Sequence, residues 1–162
     1  MGQLSYSYQT KKGVAGGLYD IAPYAIESRV NGEDTAGVMK FGMGAMRGDT
    51  PGNNVLIPKT GDTADQFEGI VMTGFTNEMD MAGTVGIPSK RTVGVLRYGN
   101  AWVRVADGIT PAYGDPVYLT VDGDEAGLFT NISGDGIAIK GMFKSNDSGI
   151  ALVELFNQAQ EA

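Results

Sequence analysis

The side chains able to do chemistry in this 162-residue chain are acids, lysines, arginines and hydroxyls, because it contains neither histidine nor cysteine. A thiolate nucleophile, a serine–histidine dyad, a thiolate zinc site and an imidazole general base are therefore excluded from the chain alone. Paired carboxylates remain as an acid–base device. The 19 acids, however, stand mostly beside Gly, Pro or Asn in turn-like strings, where a solvated surface role is the default. Asp122-Gly-Asp-Glu125 offers hard oxygens to calcium, yet it lacks the spaced acids and distal bidentate Glu of an EF-hand loop, so a solvated turn is the plainer reading. No GxGxxG or GxxxxGK[ST] string is present, and phosphate cradling has no support. Arg47-Gly48-Asp49 spells the tripeptide of integrin ligands, but within a glycine-rich string it reads as a turn. The expectation is a chain that is not an enzyme and that takes no cofactor and no metal.

Charge narrows the partners. Net charge is −7 and the 12 basic residues are dispersed apart from Lys11-Lys12 and Lys90-Arg91, so the basic stripe that phosphate neutralisation needs is missing. No nucleic-acid partner is expected. No apolar run approaches the roughly 20 residues of a membrane span, and Met1 to Val30 lacks the pattern of a signal peptide. The chain reads as soluble, without a membrane partner, and made in the cytoplasm.

The elements that must position any contact surface read as β. Gly is 25 of 162 residues, spread between short apolar runs, and each interior glycine would cost a helix about 1 kcal/mol relative to alanine. Val93–Tyr98 and Ala101–Ala106 flank Gly99-Asn100, which predicts a two-residue hairpin. In the second of these runs Ala101, Val103 and Val105 share one face while Trp102, Arg104 and Ala106 share the other. Further strands are predicted at Val117–Val121, Leu128–Asn131, Ile137–Phe143 and Ile150–Phe156, with turn signals every 8–12 residues. Residues 84–156 are thus the part that reads most clearly as a barrel. In the first half, Tyr24–Val30, Val38–Phe41 and Gln66–Gly74 read as strands, Gly42–Gly48 as a flexible methionine-rich loop, and Thr63–Phe67 as a short helical piece. Residues 1–20 read as an extended glycine-rich arm. The whole of 1–162 reads as a single all-β domain, a small β-barrel or jelly-roll-like fold.

Contact surfaces follow from this layout. Tyr6, Tyr8, Leu18 and Tyr19 are apolar anchors on the arm, and such a segment can order on a partner's surface. Met43 and Met46, with Arg47 beside them, offer either adaptable packing or a methionine-rich contact. Trp102, Arg104 and Tyr118 form a mixed face that suits an oligomer interface.

The succession of segments resembles the structural cement, or capsid decoration, proteins of tailed bacteriophages. It runs through Gly16-Gly-Leu-Tyr-Asp20, Ala22-Pro-Tyr-Ala-Ile-Glu-Ser28, Val38-Met-Lys-Phe-Gly42 and Phe67-Glu-Gly-Ile-Val71. It continues through Gly114-Asp-Pro-Val-Tyr118, Gly127-Leu-Phe129, Ile139-Lys-Gly-Met-Phe143 and the closing run Ile150–Phe156. The resemblance implies a virion protein on the capsid exterior, a homodimer or homotrimer that staples neighbouring subunits of the major capsid protein. The arm and the methionine-rich loop are then the expected capsid contacts. An alternative reading is a glycan- or host-receptor-binding β module on a virion, supported by Arg47-Gly-Asp49 and the loop aromatic Tyr113.

Overall fold

Short apolar runs punctuated by glycines fold as strands in the computed structural model, which describes residues 13–74, 78–79 and 85–157. In chain order the strands are β1 (Ala25–Asn31), β2 (Gly44–Arg47), β3 (Asn54–Leu56), β4 (Phe67–Met72), β5 (Glu78–Met79) and β6 (Val85–Gly86). They continue with β7 (Thr92–Arg104), β8 (Pro116–Thr120), β9 (Phe129–Thr130), β10 (Gly136–Asp147) and β11 (Ile150–Leu155). The only helical pieces among the described residues are two 3₁₀ turns, Ala64–Gln66 and Gly123–Glu125. The fold is all-β, as the glycine spacing predicted.

One nine-stranded sheet runs in the order β1-β3-β2-β4-β7-β11-β10-β8-β9, and β1 also pairs with β7. That extra pairing closes β1, β3, β2, β4 and β7 into a five-stranded barrel. Most of the ring therefore lies before residue 84, outside the stretch whose sequence looked most barrel-like. The later strands form an open leaf that curls back, with Phe129 of β9 bridging to Val105 just past β7. β5 and β6 pair with each other in a separate two-stranded ribbon.

Two apolar clusters hold these layers. Ala45, Val55, Val71, Val93 and Val95 fill the ring with Met39 and Ile87. The larger cluster lies between the outer side of β4 and the leaf, where Phe67, Ile70, Met72 and Leu96 meet Val103, Leu119, Phe129, Phe143 and Val153. Burying each such side chain contributes roughly 1.5–3 kcal/mol.

The expected hairpin at Gly99-Asn100 does not form. β7 passes straight through it, pairing with β1 and β4 on its first half and with β11 from Gly99 to Arg104. Gly99 adopts φ +127, and a Cβ there would stand 2.7 Å from the Cβ of Tyr24. The glycine thus serves a strand that changes sheets at a bend, a use that local spacing cannot tell from a turn. Residues 38–41 form a bend leading into a turn instead of a strand, and the expected methionine-rich loop is largely strand β2.

Candidate functional site

The described part of the arm lies along β7. Gly16 N–H donates to the Trp102 carbonyl at 2.8 Å, Trp102 N–H donates to Gly17 at 3.0 Å, and Tyr19 N–H donates to Asn100 at 3.0 Å. Gly13 sits flush on the indole of Trp102, so that any Cβ there would overlap the ring. Tyr19 adds an edge contact, its ring centroid 6.2 Å from that of Trp102 at 67°. Gly16, at φ +79, packs so closely that a Cβ would meet the Thr73 nitrogen at 2.8 Å. The glycines at 13 and 16 are thus required by close approach. Residues 13–19, the described part of the expected extended arm, are docked on the domain; residues 1–12, with Tyr6 and Tyr8, lie outside the described residues.

Replacing Gly13 with leucine is expected to lift this segment from the indole. Trp102 is the single tryptophan, so its emission should move to longer wavelength while the sheet signal in circular dichroism stays constant. An unchanged emission maximum would contradict the packing.

A second feature is built at one end of the ring. β4 carries an extra residue against β2, since Ala45 faces Gly69 while Met46 faces Phe67. This bulge places Phe67 and Ile70 in the same cluster and turns Glu68 to the opposite side, a re-aiming that bulges commonly produce. Another shift lies at Arg97, where Ala25 pairs with Tyr98 and Ile26 with Leu96. The two irregularities bring Glu68 to Arg97 Nη1 at 2.5 Å, and Arg47 Nε and Arg29 Nη2 stand 3.5 and 3.6 Å from the same carboxylate. Glu27 pairs with Arg29 alongside. Asp65, next to this group, has its carboxyl held below the ordinary aspartate range, chiefly by the Thr63 hydroxyl, then by its own backbone N–H and the charge of Arg47.

A protein-family model described as "Structural cement protein (E217 gp24/Pam3 gp6)" matches residues 2–156. The chain belongs to the structural cement protein family. A chain of the solved capsid of Myoviridae phage XM1 shares the fold at a TM-score of 0.71 and 23% identity, over 95% of this chain and 96% of that one. No curated protein matches.

In this cement protein the expected contact residues are dispersed. Met46 on β2 and Met43 just before it are 1% and 6% exposed; they are core side chains in the folded chain. Arg47 is on the surface, with its Nε on Glu68 and its Nη2 donating to the Asp65 carbonyl at 3.0 Å. The Arg-Gly-Asp string is therefore anchored at its first residue. Leu18 packs against the main core, and Tyr19 remains 44% exposed. Trp102 is covered by the docked segment, while Arg104 donates from Nε to the Phe41 carbonyl at 2.8 Å. Tyr118 lies on β8, separated from β7 in the sheet by β11 and β10.

Sequence reasoning missed a run of exposed apolar side chains just after the docked segment. Ile21, Tyr24 and Ile26 are 96%, 45% and 42% exposed. The signal was present as an apolar residue between Asp20 and Pro23, in a string whose neighbours carry no partner by alternation. The acidic string at 122–125 forms a 3₁₀ turn whose Glu125 accepts the Asp107 N–H at 2.8 Å. Among the described residues, acids do not converge into a metal-binding group.

Proposed function

We propose that this cement protein binds the outer surface of an assembled icosahedral shell and joins neighbouring subunits of the major capsid protein, acting as a dimer or trimer and not as an enzyme. The family match across residues 2–156 carries this reading. The exposed run Ile21, Tyr24 and Ile26 supports it, since apolar residues grouped on a surface favour protein contacts. Weak contacts repeated around a symmetric lattice add as avidity, so no single deep site is needed. A net charge of −7 suits an exterior position, where the packaged genome does not face the chain.

The test is co-sedimentation of the purified chain with undecorated, expanded shells of its parent phage. Saturation at a fixed ratio to shell subunits is expected, and absence of binding at tens of micromolar would remove the proposal. A truncation used in the same assay should stop at Lys12. Removing residues through Gly17 would strip the cover from Trp102 and confound attachment with folding.

A further inference from the structure

β1 has an open edge. Asn31 turns both backbone groups toward the residues that lead into β7, donating to the Arg91 carbonyl at 2.8 Å and accepting from Lys90 N–H at 2.9 Å, whereas Val30 N–H turns the other way and donates to the Asn53 carbonyl at 2.9 Å. Backbone direction alternates along a strand, and the pairing of β1 with β7 is unbroken from Ile26 to Val30. Ile26 and Ser28 therefore present their N–H and C=O away from β7. β3 reaches only Val30 and Asn31 on that side. The Ser28 carbonyl takes the Arg29 side chain at 3.0 Å, but the Ser28 N–H and both polar groups of Ile26 have no partner among the described residues. Over the same stretch Tyr24 and Ile26 expose apolar surface.

An open edge flanked by apolar side chains fits an added strand. The chain itself contains a segment of that kind. Leu4-Ser-Tyr-Ser-Tyr8 alternates apolar with polar over a length that spans the open residues Ile26 and Ser28, and it precedes the docked residue Gly13. Residues 1–12 carry two lysines and no acid, whereas the chain as a whole has net charge −7, so the segment and the body are complementary in charge.

We infer that residues 4–8 of one copy add as a strand to the open edge of β1 in a second copy, covering Ile26 and linking adjacent copies. The inference rests on the proposal that the protein works as an oligomer on the shell, and it supplies the contact. The second copy is the occupant because, in the described chain, neither the polar groups of Ile26 nor the Ser28 N–H is engaged from within, and the segment and the body are opposite in charge.

The experiment uses the edge geometry. Ser28→Pro removes only an N–H that faces away from β7, a position at which edge strands tolerate proline. Glu27→Pro removes one that faces β7 and serves as the folding control, expected to lower the melting temperature. Sedimentation velocity of the full chain should show self-association that Ser28→Pro and deletion of residues 1–12 each weaken at least tenfold, with melting of the monomer unchanged. Mixing the two variants should restore a heterodimer, since one supplies the segment and the other the edge. A synthetic peptide of residues 1–12 should bind the truncated chain and fail to bind the truncated chain carrying Ser28→Pro. Wild-type behaviour of Ser28→Pro, a monomeric wild type at tens of micromolar, or a mixture that stays monomeric would each overturn the inference. Shell binding by the wild type in the same preparations tells this failure apart from failure of the capsid role.

Discussion

Glu68→Ala is expected to destabilise the fold by about 3 kcal/mol, toward the lower end of the range for breaking a buried ion pair. Glu68 is 8% exposed at its side chain and is, among the described residues, the carboxylate within ion-pair distance of all three of Arg29, Arg47 and Arg97. Removing it leaves Arg29, itself 14% exposed, close to two other cations with only the half-exposed Glu27 as its anion. The Arg29 Nε is already a buried nitrogen without a partner. The lower end applies because Arg47 and Arg97 still reach water, at 39% and 27% exposure. For a chain of this size that loss corresponds to roughly 10 °C in melting temperature. Glu68→Gln keeps the volume and one acceptor oxygen, and should fall between wild type and Glu68→Ala. Urea unfolding that places Glu68→Ala within about 1 kcal/mol of wild type would show that the cluster contributes little.

Gly69→Ala is expected to cost about 3–5 kcal/mol, because strain and collision act together. Gly69 has φ +149, and an added Cβ would overlap the carbonyl oxygen of Leu96, a backbone atom of the β4–β7 ladder. Backbone held on both sides cannot yield as a flexible side chain would. The matched control is Gly52→Ala, at φ +78 with nothing within 4 Å of the added Cβ. It should lose only the left-handed penalty of about 1–2 kcal/mol. Equal unfolding midpoints for the two variants would rule out the collision.

Both expectations concern one bulge, and its legibility in the sequence was partial. Phe67-Glu-Gly-Ile-Val71 was readable as a strand from its apolar content, and the structure places β4 there. Nothing in strict alternation put Phe67 and Ile70 on one side, since residues three apart point to opposite faces of a regular strand. One inserted residue reverses that parity, and with it the destination of Glu68. The same holds for β7, where Leu96 and Ala101 enter the same cluster although five positions separate them. Arg97 and Gly99 lie between; the spacing reads Arg97 as part of a regular strand and Gly99-Asn100 as a turn, and neither reading contains the irregularity at Arg97.

Methionines at 43 and 46 illustrate a second limit. Their glycine-rich setting has the composition of a loop, yet β2 is enclosed by β3, by β4 and by the leaf, so it is buried by segments far along the chain. Burial is a property of neighbours, and composition reports it only when the whole strand is apolar.

The sequence by itself determined the classes of chemistry that are absent, the all-β character, the shared face of Ala101, Val103 and Val105, and the succession of segments that marks a structural cement protein. Those follow from residue type and from period-two spacing, which act over a few residues. Only the tertiary structure decided that β1 closes a ring on β7, that Gly13 lies on Trp102, that Glu68 gathers three arginines, and that the edge at Ile26 and Ser28 stays open. Each depends on contacts between residues tens of positions apart, where one bulge or one glycine at close approach determines which face meets which neighbour.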